Sequence, residues 1–451
     1  MVILDKINSR TSNIVVIGLG YVGLPTALAF SKQGFNVIGL DIDRKKIKKI
    51  KKGISPINDS TISADLKEEI RKGTFKVTNN FESTISNSDI IILIVPTPVN
   101  AAKEPDLTFI KSAAKSVVSS LRKDQLVILE STVYPGVTEE VVLPILRKSG
   151  LNCPDDFGIA YCPERFNPGD KAHTIENVVR VIGGINDKWT EVANTLYKTI
   201  QKTFPTVNIK TAETAKVIEN TQRDLNIALI NEIALICEKI NVDIINVLEA
   251  ASTKWNFIKF LPGPGVGGHC LPHDPYYLVK IAKEKGYHAQ VILSGRKVND
   301  EMPIHVKNLI IQGLNIRNKP LNNSKILIFG ATYKKNIDDL RTSPTETLVK
   351  LLLTYKAQLS INEPNINCEI IFGCKKMNDL NFELISKYDV FVFMVNHNQY
   401  KQISNNFLEN CIKLNPQLVL IDAARMLEGN KLKNMGYIYL GIGAGEINTS
   451  Y

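Results

Sequence analysis

Gly18-Leu19-Gly20-Tyr21-Val22-Gly23 is the feature that most narrows the folds open to this chain. It follows Asn13 to Gly18 (NIVVIG), a β-branched run that breaks at glycine, and precedes Leu24 to Lys32, which reads as helix. A GxGxxG between strand and helix opens a βαβ unit. The first glycine allows the tight turn, the second lets a pyrophosphate approach the backbone, and the third lets helix and strand pack closely; the helix N-terminus faces the negative charge. A second strand, Asn36 to Leu40, ends at Asp41, about 20 residues on, whose carboxylate can accept both ribose hydroxyls. That favours NAD over NADP, although Arg44 is near enough to accept a 2′-phosphate. The plainer alternative is a glycine-rich turn in some other α/β domain; strand, helix and acid together argue against it.

Further strands are expected at Asp89–Val95, Leu126–Glu130 and Gly158–Tyr161, so the first segment is a parallel sheet with helices on both faces. Ala212 to Lys239 holds no proline or glycine, which predicts one long central helix. The Gly- and Pro-rich loop Leu261 to Pro275 interrupts this middle segment. Lys325 to Gly330 (KILIFG), Asp389 to Asn396 and Gln417 to Asp422 are strands of a third segment. The expected fold is α/β: two Rossmann-like, doubly wound domains joined by a central helical domain. The expected bounds are 1–208, 209–305 and 306–451.

Composition fits this plan. The 451 residues are 44% hydrophobic and 22% charged, so a sizeable core is available. The longest apolar run, Ile90 to Val95, falls far short of the ~18 residues that span a bilayer, and MVILDKINSR has no signal-peptide core. Neither a membrane nor a secreted protein is expected. The seven cysteines show no CxxC or finger spacing, so no metal site and no disulfide framework is expected, and the reducing cytoplasm is the expected compartment. The net charge of +10 reads either as a lysine-rich surface or as affinity for an anionic ligand such as a nucleotide. Nucleic acid is not expected, because no aromatic-basic stripe stands out; Arg44 to Lys52 reads as a solvated helix face.

Gly263-Pro264-Gly265-Val266-Gly267-Gly268-His269-Cys270 is the most unusual stretch. Its glycines let backbone approach a ligand and present Cys270 in a fixed pose, with His269, His273 and Asp274 nearby. A cysteine so placed suits a nucleophile better than a core filler, the usual fate of a thiol. Beside a nicotinamide site it suggests oxidation at the aldehyde level through a thiohemiacetal and a thioester, which needs an acid or base and a cation for the oxyanion. Lys216 and Asn220 share a helix face at i, i+4 and can bind an oxyanion, though an ordinary solvated face has the same pattern.

These motifs together resemble the UDP-glucose/GDP-mannose 6-dehydrogenase family over nearly the whole chain. The matching pieces are VIGLGYVGLP (16–25), VPTPV (95–99), ESTVYPG (130–136), YCPERFNPGDKAHT (161–174), the Lys216–Asn220 helix, GPGVGGHCLPHDPYYL (263–278) and YKKNIDDLRTSP (333–344). The resemblance implies oxidation of a sugar C6 hydroxymethyl to a carboxylate with two NAD⁺ and no metal. Cys270 matches the nucleophile, Lys216 and Asn220 the oxyanion ligands, Glu164 the carboxylate of thioester hydrolysis, and Thr132 and Asp274 the groups that position water. NAD contacts are implied for Gly18, Gly20, Tyr21, Val22, Gly23, Asp41, Arg44, Pro96, Thr97, Ser131, Thr132 and Arg341. Substrate contacts are implied for Glu164, Arg165, Phe166, Lys216, Asn220, Lys259, Gly265, Gly267 and Lys334. The central helix is implied to form a homodimer and the C-terminal domain to grip UDP.

Glu164-Arg165-Phe166-Asn167-Pro168-Gly169 and Lys254-Trp255-Asn256-Phe257 resemble the N-acetylhexosamine branch. UDP-N-acetylglucosamine is therefore the favoured substrate, with UDP-N-acetylmannosamine next and UDP-glucose an alternative. His273 departs from the aliphatic residue common at its place, Leu261 from a basic one, and the tail Gly441 to Gly445 lacks an arginine. Two competing classes stand beside this reading: a two-electron dehydrogenase of the 6-phosphogluconate or hydroxyacid type, which would not need Cys270, and a non-catalytic sugar-nucleotide sensor.

Overall fold

A computed structural model of the chain describes residues 2–57, 59–100, 102–166, 174–378, 380, 386–402 and 405–445. Asn167, Pro168 and Gly169 of the branch motif lie outside them. By packing, the chain divides into unit 1, Met1–Glu219 with Tyr276–His288, and unit 2, Asn220–Pro275 with Ala289–Tyr451.

Unit 1 is built on eight strands: β1 (Asn13–Ile17), β2 (Asn36–Leu40), β3 (Phe75–Thr78), β4 (Ile90–Leu93), β5 (Leu126–Leu129), β6 (Gly158–Tyr161), β7 (Arg180–Gly184) and β8 (Thr203–Pro205). Their order is β3-β2-β1-β4-β5-β6-β7-β8. The first six are parallel, with Ile14 opposite Val37 on one side and Ile90 on the other. Apolar residues fill both faces of each central strand because both faces are covered. Ile14, Val16, Ile90 and Ile92 enter one core, and Val15, Ile17, Ile91 and Leu93 the other. The sheet departs from the expected all-parallel pattern at β7, which runs antiparallel to β6. A parallel neighbour needs a helical crossover, and the described residues between β6 and β7 form none.

Unit 2 carries β9 (Lys325–Phe329), β10 (Gln358–Asn362), β11 (Ile370–Ile371), β12 (Cys374–Lys376), β13 (Val390–Phe393), β14 (Val419–Asp422) and β15 (Ile438–Gly441). Their order is β11-β12-β10-β9-β13-β14-β15, parallel except for the β11–β12 hairpin. Val390 and Val392 face one core and Phe391 and Phe393 the other, where Phe393 stacks on Phe329 at 4.6 Å. The expected two doubly wound sheets and long central helix are present. The helix, Ile209–Lys239, runs 31 residues and passes from one unit into the other. A second long helix, Gln290–Ile316, continues through position 305. No described helix is long and apolar enough to cross a membrane.

Candidate active site

In unit 1 the strand order reverses between β1 and β4, and the C-terminal ends there carry Gly18, Asp41, Pro96, Thr97, Ser131 and Thr132. Such a switch point opens the crevice where open α/β sheets bind ligands. Gly18 has φ +99°, and a Cβ there would lie 2.0 Å from the Ile94 carbonyl oxygen. A Cβ on Gly23 would meet the Gly18 carbonyl oxygen at 1.8 Å. Gly20 is different: within 4 Å of its Cβ position there is nothing. The following helix, Gly23–Lys32, has no side-chain cap, with Val22 at the capping place and Tyr21 exposed before it. A tight turn, an uncapped helix start and open space at the middle glycine fit a pyrophosphate.

Asp41 is 6% exposed and closes the other side. Its Oδ2 accepts from the Leu19 N–H at 2.9 Å and from Lys46 Nζ at 2.7 Å, and its Oδ1 accepts from the Asp43 N–H at 2.9 Å. Oδ1 keeps a lone pair for a ribose hydroxyl. Arg44 is exposed at the start of the helix Arg44–Lys51, which Asp43 caps through the Lys45 and Lys46 N–H groups; Ile47 and Ile50 are its buried face. Ser131 Oγ donates to the Val95 carbonyl and accepts from its N–H, both at 2.9 Å, so this hydroxyl fixes the VPTPV loop. Thr97's carbonyl accepts from Tyr277 Oη.

Glu164 follows β6 and is 7% exposed. Its Oε1 accepts the Arg165 and Phe166 N–H groups at 2.7 and 2.8 Å, and its Oε2 is held by Arg180. Arg165 grips Glu219 at 2.8 and 3.1 Å, three residues beyond Lys216 on the central helix. On the same helix, buried Glu213 accepts from the Gly136 N–H at 2.5 Å, the Thr138 N–H at 2.9 Å and Thr138 Oγ1 at 2.7 Å. Glu213 thereby ties the turn before Lys216 to the ESTVYPG loop that bears Thr132. Burial pushes its carboxyl up to about 7, against those three hydrogen bonds.

In unit 2 Asn220 Nδ2 donates to Asp274 Oδ2 at 2.5 Å. Cys270 is exposed, and its carbonyl accepts the His273 and Asp274 N–H groups at 3.0 and 2.8 Å as the helix Asp274–Glu284 begins. The loop behind it is pinned from two sides. Gly263 N–H donates to Asn231 Oδ1 at 2.9 Å; Asn231 reaches Asn299, which donates to Asp224, itself paired with Arg296 at 2.5 Å. On the other side Thr342 Oγ1 donates to the Gly268 carbonyl at 2.7 Å, and a Cβ on Gly267 would lie 2.5 Å from the Thr342 carbonyl. Gly265, at φ +123°, is closed in by Asn299 and Pro344. The structure thus brings the GPGVGGHC and YKKNIDDLRTSP segments together. Burial, His269 and Arg296 push His273 down to about 4, so the departure at this position adds no cation at neutral pH.

Lys259 is exposed on the approach to the loop, and exposed Arg341 is paired with Asp339 at 2.6 Å. Lys334 lies in a loop held from below by fully buried His397 and Glu363. Glu363 Oε2 accepts the Ala331 and Thr332 N–H groups and contacts His397 Nε2 at 3.0 Å, while the Asn336 N–H donates to His397 Nδ1 at 2.9 Å. Sequence reasoning missed Glu213, Asp224, Arg296, Glu363 and His397. Each stands among other polar or charged residues in the sequence, so nothing there marks it as buried or names its partner. Among the described residues no group of three or more His, Cys, Asp or Glu is placed to hold a metal ion.

A dinucleotide crevice, a second α/β unit and a cysteine on a glycine loop define a nicotinamide-dependent oxidoreductase. Three family models match in order: the NAD binding domain of the UDP-glucose/GDP-mannose dehydrogenase family over residues 12–201, its central domain over 210–301 and its UDP binding domain over 327–429. The chain belongs to this family and is an NAD-dependent UDP-sugar dehydrogenase. It is 39% identical to a UDP-N-acetyl-D-glucosamine 6-dehydrogenase of Pseudomonas aeruginosa, covering 93% of this chain and 98% of that one. It is 34% identical to a UDP-N-acetyl-D-mannosamine dehydrogenase of Methanococcus maripaludis, covering 97% and 98%. The structure of a UDP-D-ManNAc dehydrogenase from Pyrococcus horikoshii superposes with a TM-score of 0.87 at 33% identity, covering 96% of this chain and 99% of that one.

Proposed function

We propose that the chain oxidises the C6 hydroxymethyl of UDP-N-acetylglucosamine to the uronate in two hydride transfers to NAD⁺. The observation that carries this reading is Cys270, exposed on a doubly pinned glycine loop beside the Asn220–Asp274 pair. NAD⁺, when bound in the Gly18–Gly23 cradle, supplies the hydride acceptor. The C6 alcohol loses a proton and a hydride to give the aldehyde. The Cys270 thiol adds to it, forming a thiohemiacetal whose oxygen Lys216 and Asn220 hold. Loss of a second hydride leaves a thioester. Thr132 and Asp274 place a water, Glu164 assists its attack, and the carboxylate leaves as the thiol returns. The sum consumes one alcohol, one water and two NAD⁺, and yields one carboxylate, two NADH and three protons.

Lys259, Gly265 and Gly267 are assigned to the sugar nucleotide with Lys334, and Arg341 to the cofactor edge. The preference for the gluco epimer rests on the 39% identical relative; the mannosamine-named relatives make UDP-N-acetylmannosamine the second reading. A homodimer through the central helix accords with Leu229 and Ile236, seven residues apart on it and about half exposed.

The test is NADH formed per sugar consumed with UDP-GlcNAc, UDP-ManNAc, UDP-GalNAc and UDP-Glc in turn. Two NADH per UDP-GlcNAc is expected, and none from Cys270→Ser beyond the aldehyde stage. One NADH per sugar, or full turnover by Cys270→Ser, would falsify the four-electron scheme. Two NADH from UDP-ManNAc alone moves the assignment to the second reading.

A further inference from the structure

Behind Glu164 lies a sealed charged cluster that the proposed chemistry does not use. Glu130 follows β5 as the first residue of ESTVYPG, Cys162 follows β6, Arg180 opens β7, and Tyr197 ends the helix Asp187–Tyr197. Arg180 is fully buried and Glu130 is 2% exposed. All three guanidinium nitrogens of Arg180 are engaged. Nη2 donates to Glu164 Oε2, and Nη1 donates to the Cys162 carbonyl at 3.0 Å. Nε donates to the Gln201 amide oxygen at 2.9 Å when that amide is oriented by its neighbours. The guanidinium also stands 4.7 Å over the Tyr197 ring, and Tyr197 Oη donates to Glu130 Oε1. Glu130 Oε2 lies 3.2 Å from Arg180 Nη1 yet makes no hydrogen bond.

The charge count decides what this arrangement does. The titratable groups facing the cluster are Glu130, Cys162, Glu164, Arg180 and Tyr197. Burial pushes the Cys162 thiol and the Tyr197 hydroxyl well up, so both stay neutral. One cation then faces two carboxylates away from water, and a second buried anion would go uncompensated. Burial raises the Glu130 carboxyl, opposed by Arg180 and reinforced by Glu164. The oxygen without a hydrogen bond sits on the same residue.

We propose that Arg180 is the positioning residue of the Glu164 carboxylate, and that Glu130 controls its hold by carrying or releasing one proton. With Glu130 protonated, Arg180 serves Glu164 alone. Once Glu130 ionises, two carboxylates compete for one guanidinium and Oε2 of Glu164 loses its fixed place. The inference rests on the assignment of Glu164 to thioester hydrolysis, so the affected step is the last one.

Three measurements test it, with UDP-GlcNAc and NAD⁺ as the probes. In Arg180→Lys the first-turnover burst of two NADH persists, while steady-state kcat falls roughly 10²-fold, as expected for a misplaced group. In Glu130→Gln, which keeps the Tyr197 partner and one cation for one carboxylate at every pH, the fall of kcat on the alkaline side disappears. Loss of the burst in folded Arg180→Lys, or an unchanged pH profile in Glu130→Gln, overturns the proposal. The third readout needs no turnover: at neutral pH the infrared difference between wild type and Glu130→Gln shows the C=O stretch of a protonated buried carboxyl, the Glu213 carboxyl contributing equally to both proteins. Absence of that band from the difference spectrum overturns the proposal even if Arg180→Lys does not fold. A difference band together with no oxidation of any UDP-sugar defeats the functional reading and leaves the Glu130 proton established.

Discussion

Asn220 and Asp274 meet at 2.5 Å, and this single contact joins a residue of the central helix to the first residue of the helix behind the cysteine loop. An amide donor there leaves the carboxylate a fixed acceptor. Asn220→Ala removes the donor, and kcat is expected to fall about 10²-fold with the KM for NAD⁺ unchanged. Asn220→Asp sets two carboxyls at the same distance, where one must hold a proton. That variant should gain a titration limb in kcat that wild type lacks; steady-state rates across the pH range check both. At this scale the sequence was legible wherever a motif carried the residue: Cys270 lies on the glycine loop, Asn220 on the central helix and Gly18 at the strand-to-helix turn, while Asp274, expected within the loop, opens the following helix. The sequence named no partner for Arg180, nor for Glu130, the first residue of ESTVYPG. Nothing in the run Val178 to Gly184 says which of many acids an internal arginine will meet, because its partners Glu164 and Glu130 lie 16 and 50 residues earlier.

Elements were legible to the extent that they are stiff and apolar. Strands β1, β2 and β6, the helix through Lys32 and the central helix all appear within a few residues of their expected bounds. Strands β3, β7, β8, β10, β11, β12 and β15 escaped; most are two or three residues long or are broken by polar residues or glycine, as in FKVT, QLSIN and RVIGG, which leaves too short an apolar run to register. The dinucleotide turn makes the element-scale argument testable by contrast between two glycines. Gly18→Ala forces a Cβ to 2.0 Å from a carbonyl oxygen at positive φ and is expected to destabilise unit 1 by roughly 1–3 kcal/mol or more. Gly20→Ala meets no protein atom within 4 Å. Its stability should stay within about 0.5 kcal/mol of wild type, while a methyl placed where the pyrophosphate approaches weakens NAD⁺ binding by about tenfold or more. Melting curves and NAD⁺ titration of the two variants separate folding from binding. A Gly20→Ala protein with normal NAD⁺ affinity would show that the cofactor does not lie over this turn.

Over the whole molecule, stability should carry the mark of its buried acids. Glu213 has its carboxyl raised from an ordinary 4.5 to about 7 by burial. The native state therefore holds that proton more tightly than the unfolded chain does. Its contribution is fully present below about pH 4.5 and is lost as pH rises through about 7, with a slope of at most about 1.4 kcal/mol per pH unit. Glu363, Asp89 and Asp339 work in the opposite sense. Each is lowered by hydrogen bonds and cationic or His partners that outweigh its burial, so each contributes stability that disappears as pH falls below the ordinary carboxylate range. The two sets of groups leave a window near pH 5 in which both contributions are largely intact. The melting temperature should peak there and decline toward pH 8. Glu213→Gln keeps the volume and one acceptor but carries no proton to lose. Its melting temperature should fall less between pH 5 and 8 than that of wild type, with the curves converging or crossing on the alkaline side. Because Glu213 clamps the central helix to the ESTVYPG loop in unit 1, the change belongs in the transition of that unit, which calorimetry resolves from the transition of unit 2 if the units melt separately. Parallel pH dependence in the two proteins would mean that Glu213 is ionised in the native state, with its three hydrogen bonds outweighing burial.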